Sequence, residues 1–255
     1  MIRLDAYERP SVAADAVVFG IDADAAAPRK GLIQRRLKLL LVRRGEEPFA
    51  GAYGLPGGFL RKGETIEQTA LRELAEEAGV SEPKILHLGV YSAPDRDPRG
   101  WVITCAFLAL TRTVALSTAA GSDAAEAEWF DFEFAAEPDG CEQITLSDAE
   151  QTLHLRYQNG SLLQNALAFD HGQIIYDAFR QLRDEVMYHD LIFDLMPPLF
   201  AVSDLQQPYE IITGTHTSPQ NFRKKMASRI TETEFYNEAA AHRTAKLYRR
   251  KEGTA

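Results

Sequence analysis

The sequence predicts an α+β protein in two parts: a mixed-sheet domain over residues 1–170 and an α-rich unit over residues 171–255. Three observations carry this. Short apolar runs rich in β-branched residues dominate the first part, one strongly signalled helix is set among them, and near Asp170 the apolar spacing changes to a helical period.

The elements follow in order. Ser11 to Ile21 and Leu37 to Arg43 read as strands, with the Ala-rich, basic stretch from Asp22 to Arg36 as a surface excursion between them. A Gly- and Pro-dense segment, Pro48 to Gly58, leads to a helix from about Thr65 to Ala78, stopped by Gly79. Strands are expected at Leu86 to Tyr91, Trp101 to Thr111 and Ala127 to Phe132. Thr152 to Tyr157 and Leu162 to Phe169 form a hairpin about Asn159-Gly160. From Asp170, an apolar stripe through Ile174, Ile175, Ala178, Phe179, Leu182 and Val186 predicts a linking helix, ended by Pro197-Pro198. Ser203 is read as the N-cap of a short helix closed by Gly214, and Ser218-Pro219 as the start of another. Ile230 to Tyr236 and Arg243 to Arg250 read as two last strands.

Composition narrows the class. Two cysteines, Cys105 and Cys141, in no ligand or redox spacing, suit a reducing compartment; with no signal peptide and no apolar run of spanning length, the expectation is a cytoplasmic protein with no membrane partner. The formal net charge of −9 argues against indiscriminate nucleic-acid binding, but it conceals an opposed end: Ser218 to Lys251 holds nine Lys or Arg against three Glu.

Chemistry concentrates on the helix after Gly58. Glu73, Glu76 and Glu77 are spaced i, i+3 and i+4, which puts three carboxylates on one face. Such a cluster repels itself unless a cation neutralises it, and hard oxygen donors suit Mg²⁺ or Mn²⁺. A solvated helix face with charge pairs is the alternative for an isolated Glu-rich helix. Here the helix sits in a longer pattern: Gly58-Phe59-Leu60-Arg61-Lys62-Gly63-Glu64, seven residues, then Arg72-Glu73-Leu74-Ala75-Glu76-Glu77-Ala78-Gly79-Val80, preceded by Tyr53-Gly54-Leu55-Pro56-Gly57-Gly58.

This pattern is identified as a Nudix box, complete at every fixed position. The resemblance implies an α/β/α sandwich with a mixed sheet that binds a divalent metal and cleaves a nucleoside diphosphate linked to another group. It makes Glu73, Arg72 and Glu64 the catalytic candidates, and Glu73, Glu76, Glu77 and Gly58 the metal candidates. The division of base and ligand roles among the glutamates stays open. Pro94 to Trp101 resembles a segment of the branch that handles ADP-ribose and related dinucleotides; Arg96 and Arg99 would meet phosphate and Trp101 would stack on adenine. The other reading is a charged surface loop with Trp101 in the core. His171, after Phe169-Asp170, is read as a packing residue and kept out of the catalytic set.

In the C-terminal unit, helix, turn and a basic, amide-rich second helix form an arrangement that enters a major groove, and the strand pair after it would be a wing. Gln220, Asn221, Arg223, Lys224, Arg243 and Lys246 are the DNA-binding candidates; Arg229 is read with the first four on faces of the helix other than the one that Phe222 and Met226 pack inward. A dimerisation domain with a solvated basic surface is the alternative.

Taken whole, the chain resembles the Nudix-related transcriptional regulators of NAD metabolism, down to the linking segment Leu195-Met196-Pro197-Pro198-Leu199-Phe200 and to Asn221-Phe222-Arg223-Lys224-Lys225. The resemblance implies an ADP-ribose-like ligand in the first domain, a homodimer and an operator DNA. The complete box implies that hydrolysis is retained, and the segment from His242 to Arg249 departs from the family's Arg-Pro-Ala form. A housekeeping pyrophosphatase whose C-terminal unit only builds a dimer is the competing function.

Overall fold

The computed structural model describes residues 7–23, 35–80, 83–112, 114, 126–237 and 245–251. Chain contacts divide it into two compact units: Met1–Phe19 with Leu39–Ala109 and Ala115–Ala178, and Gly20–Lys38 with Leu110–Val114 and Phe179–Ala255.

The first unit is built on strands β1 (Ser11–Ala23), β2 (Arg35–Arg43), β3 (Tyr53–Gly54), β4 (Gly57–Phe59), β5 (Lys84–Tyr91), β6 (Val102–Thr111), β7 (Glu126–Ala136), β8 (Cys141–Ser147), β9 (Thr152–Gln158) and β10 (Ser161–Gln164). They join in one sheet of order β10-β9-β8-β7-β2-β1-β6-β5, with β3 on β2 and β4 on β1. The excursion expected between β1 and β2 lies almost wholly outside the described residues.

Helix α1 (Ile66–Ala78) forms where local signals demand it. Thr65 Oγ1 accepts from Gln68 N, Gln68 Oε1 accepts from Thr65 N, and Gly79 ends the helix at φ 62°. Its apolar face, Leu74 and Ala78 with Val80 beyond, packs on Ala16, Val18, Leu40 and Ala109 of the central strands. That burial leaves the glutamate face turned outward, beside the Gly-rich strand β4.

The sheet differs from the expectation at β3 and β4, short strands in the segment read only as Gly- and Pro-dense, and at two later elements. Strand β8 was not anticipated, although Asp139-Gly140 marks its turn: Gly140 sits at φ 81° and its N–H donates to Glu137 O. The last hairpin turns at Asn159-Gly160, both at positive φ, but β10 stops at Gln164 after a register shift. Asn165 then organises a loop to Phe169, accepting from Leu167 N and donating to Phe169 O.

Helix α2 (His171–Tyr188) follows. In the first unit its start is tied to the sheet by Tyr157, whose hydroxyl donates to Gly172 O and whose ring stacks on Tyr176 at 4.4 Å.

The second unit holds a 3-10 turn (Leu191–Leu195), strand β11 (Phe200–Ala201), helices α3 (Val202–Thr213) and α4 (Pro219–Met226), and strands β12 (Ile230–Asn237) and β13 (Ala245–Arg250) in a sheet of order β11-β13-β12. The cap of α3 is Ala201, with no side-chain cap bond, where Ser203 was expected. The reason is tertiary: Phe200 and Ala201 pair with Tyr248 and Leu247, so the strand delivers the chain straight into the helix. Ser218 caps α4 as expected, accepting from Asn221 N, and Phe222 and Met226 are buried. Among the described residues no helix is long and apolar enough to cross a membrane.

Candidate functional site

Three carboxylates, Glu64 ahead of α1 and Glu73 and Glu76 on it, are gathered on one guanidinium. Arg72 donates from Nε to Glu64 Oε1 at 2.7 Å, from Nη2 to Glu64 Oε2 at 3.1 Å, from Nη1 to Glu73 Oε1 at 2.5 Å and to Glu76 Oε2 at 3.2 Å. Those bonds hold the Glu64 carboxyl down at about 2. Glu77 is turned the other way and accepts from Gly57 N at 3.0 Å; burial pushes its carboxyl up to about 7. Glu73 and Glu76 therefore share Arg72 while Glu77 faces the neighbouring cleft. The donor chemistry fits a hard divalent cation: four carboxylates, one arginine among them, and one carboxyl raised by burial with no cation of the described residues at hydrogen-bond distance.

The glycines ahead of the helix make room for this arrangement. A Cβ on Gly58 would lie 2.2 Å from Glu73 Oε1, one on Gly57 2.4 Å from Asp15 Oδ1, and one on Gly54 2.9 Å from His171 Nδ1. Each glycine thus lies against one polar side chain of the site.

Beside α1 opens a cleft of about 290 Å³, lined among others by Asp15, Arg44, Gly57, Gly58, Phe59, Glu77, Arg96, Arg99, Phe169 and His171. Arg99, 43% exposed, reaches Asp97 at 2.7 Å and holds that carboxyl below its usual range, while its guanidinium lies over the rings of Phe59 and Phe169. Arg96 also lines the cleft, but it is buried and donates to both oxygens of Asp170 at 2.7 and 3.0 Å. Arg99 thus stands exposed at the cleft, whereas the Arg96 guanidinium is taken up by Asp170 in the wall. Trp101 is half exposed, so it is not a core residue, and it is not among the residues that line this cleft.

Sequence reasoning passed over Asp15 and Arg44, which also line the cleft. Asp15 had a signal: a carboxylate inside the apolar run Ala13-Ala14-Asp15-Ala16-Val17 demands a reason. His171, read from sequence as a packing residue, is buried in the cleft wall, where its Nδ1 accepts from Leu55 N at 2.8 Å and burial lowers its pKa to about 3. A second acidic grouping, Glu137, Asp139 and Cys141, brings its donor atoms within 4.8 Å of one another at the β7–β8 turn. There Asp139 accepts from Cys141 N and Glu137 pairs with Arg156 at 3.6 Å, so turn geometry accounts for it.

In the second unit, Gln220, Asn221, Arg223 and Lys224 are all exposed on α4. A groove of about 720 Å³ runs among Ser203, Gln206, Gln220, Arg223 and Lys246. Lys246 stands 3.3 Å from Glu232 across the strand pair. Arg229 is not on a helix face: it follows α4, is mostly buried, and binds Asp190 at 2.6 Å. Arg243 lies outside the described residues.

Two family models divide the chain between them and set its class. Residues 30–145 match the NUDIX domain and residues 192–250 match the NrtR DNA-binding winged helix domain, so this is a Nudix domain joined to a winged helix. The chain is 30% identical to the ADPR responsive transcriptional repressor NtrR of Acinetobacter baylyi over 246 residues, 95% of this chain and 83% of the relative. It belongs to the family of that protein and of NrtR. The crystal structure of Shewanella oneidensis NrtR complexed with a 27mer DNA matches with a TM-score of 0.67 at 29% identity, covering 94% of this chain and 93% of that one. An ADP-ribose pyrophosphatase of Methanocaldococcus jannaschii is 48% identical over 102 residues, 40% of this chain and 59% of the relative.

Proposed function

We propose that this chain is a cytoplasmic, homodimeric transcriptional repressor that answers to ADP-ribose or a related nucleotide held in the Nudix cleft, and that its Nudix domain retains metal-dependent pyrophosphatase activity. The observation that carries the reading is that exposed Gln220, Asn221, Arg223 and Lys224 share α4 of a winged helix, in one chain with a cleft bordered by a complete carboxylate box. Its relatives are a repressor responsive to ADP-ribose and an ADP-ribose pyrophosphatase.

Glu73, Glu76, Glu77 and the Gly58 carbonyl would hold Mg²⁺ or Mn²⁺. When bound, such an ion lowers the pKa of a water and neutralises charge on phosphate oxygens. The chain's own residues do the positioning. Arg72 holds Glu64 and Glu73 in place, and Arg44 and Arg99 meet the charge of the diphosphate along the cleft. On α4, Asn221 and Gln220 suit adenine edges, and Arg223 guanine edges or phosphate. A ligand changes repression only through a difference in affinity for the two states of the protein.

Two measurements test this. Arg223→Ala and Lys224→Ala should each weaken binding to duplex DNA and lower the slope of log affinity on log salt by about 1. Unchanged affinity and slope in both would move the DNA surface off α4. With Mg²⁺, ADP-ribose should be split to release AMP, and Glu77→Gln should cut that rate about 100-fold or more. ADP-ribose bound without turnover in the wild type would leave a pure sensor.

A further inference from the structure

The inner wall of the cleft carries a buried carboxylate for which the proposed chemistry has no use. Asp15 is 7% exposed; the Thr104 hydroxyl stands beside it and favours its charged form, and among the described residues its nearest cationic atoms are Arg96 Nη2 at 3.6 Å and His171 Nε2 at 3.9 Å, both beyond hydrogen-bond length. Arg96 makes its short bonds to Asp170 instead. His171 accepts from Leu55 N through Nδ1, so the neutral ring carries its proton on Nε2, the nitrogen nearer Asp15.

A carboxylate acceptor and an imidazole donor thus stand side by side, with Ala13, Leu55 and Gly57 around them in the lining. The complementary group both donates and accepts. A sugar hydroxyl does so; an ionised phosphate only accepts and is repelled by the carboxylate. A purine base needs a ring face to stack on, and the two phenyl rings of the lining, Phe59 and Phe169, both carry the Arg99 guanidinium, 5.3 and 5.4 Å from their centroids.

We propose that Asp15 and His171 form a sugar-hydroxyl site that receives the terminal ribose of a nucleoside diphosphate sugar. The terminal ribose offers more free hydroxyls than the nucleoside ribose, whose anomeric carbon carries the base. Asp15 accepts from these hydroxyls and His171 Nε2 donates to one of their oxygens. Arg96 is a positioning residue that holds the start of α2, and His171 with it, through Asp170. The proposal rests on the reading of the cleft as a nucleotide site, and it says which part of the nucleotide the wall selects.

Titration calorimetry of the full chain with ADP-ribose and with ADP, both in EDTA to prevent turnover, tests it. The wild type should bind ADP-ribose more tightly than ADP. Asp15→Asn should weaken ADP-ribose by about tenfold or more, the scale of one hydrogen bond to a charged group, and leave ADP within about twofold. An equal loss for both ligands, or no loss for ADP-ribose, overturns the proposal while leaving the cleft a nucleotide site. A wild type that binds neither ligand removes the reading of the cleft, and this inference with it. Should Asp15→Asn not fold, His171→Asn decides: it keeps an acceptor for Leu55 N–H, removes the Nε2 donor, and should again weaken ADP-ribose selectively.

Discussion

Gly57 and Gly58 are neighbours, yet a methyl group at each meets a different kind of obstacle. At Gly57 the added Cβ lies 2.4 Å from Asp15 Oδ1 and 2.5 Å from the Ala14 carbonyl, which belongs to a paired strand and has nowhere to move. Gly57→Ala should therefore cost about 2 kcal/mol of stability, read as a lower urea midpoint. At Gly58 the obstacle is only the end of the Glu73 side chain, at 2.2 Å. Gly58→Ala should leave the urea midpoint nearly unchanged and still abolish most pyrophosphatase turnover, because Glu73 is pushed off Arg72. A large loss of stability with turnover intact would contradict this. The residues of the box were legible because each is a fixed type at a fixed spacing. The partner of Arg96 was not: Asp170 lies 74 positions away, and a sequence displays a charge without the group that occupies it.

Helices and strands were legible in proportion to how locally they are specified. For α1 every determinant lies within the helix or one residue beyond it, and its limits were read almost to the residue. Thr65→Ala removes the capping box and should lower stability by about 1 kcal/mol in a denaturant titration. The start of α3 depends on β13, some 45 residues later, and so could not be seen. The same non-local logic governs Asp190, which holds Arg229 at 2.6 Å and Arg250 at 3.4 Å and so joins the end of α4 to the last strand. Asp190→Ala leaves two partly buried guanidinium groups facing each other and should destabilise the winged helix by roughly 3 kcal/mol. A loss of DNA affinity as temperature rises, with the cleft's nucleotide affinity unchanged, is the expected signature.

For the molecule as a whole, the buried pair in the cleft wall sets opposed contributions to acid stability. His171 is held at about 3 against 6.5 when free, so below about pH 6.5 the unfolded chain takes up this proton first and folding loses stability as pH falls. Asp15 is held at about 6 against 3.8 when free, so between those values the folded protein takes up the proton first and gains stability as pH falls. In the wild type the two slopes oppose each other, with Arg96 and Asp170 beside them. Asp15→Asn should lose stability more steeply from about pH 6 to pH 4, by up to about 1.4 kcal/mol per unit, and His171→Asn less steeply than the wild type. Urea midpoints across that range, equal in slope for all three proteins, would refute the assignment.

Two arginines of the cleft are already paired with carboxylates, Arg99 with Asp97 and Arg96 with Asp170, each at 2.7 Å. An anion that reaches Arg99 exchanges places with a resident carboxylate, and its net gain is the difference between two similar charge-assisted bonds. Differences of this kind are expressed chiefly in the rate of departure. A nucleotide held there is expected to have a short residence time, so that occupancy of the cleft should track the surrounding concentration within a few exchanges, as a gauge does and a storage site does not.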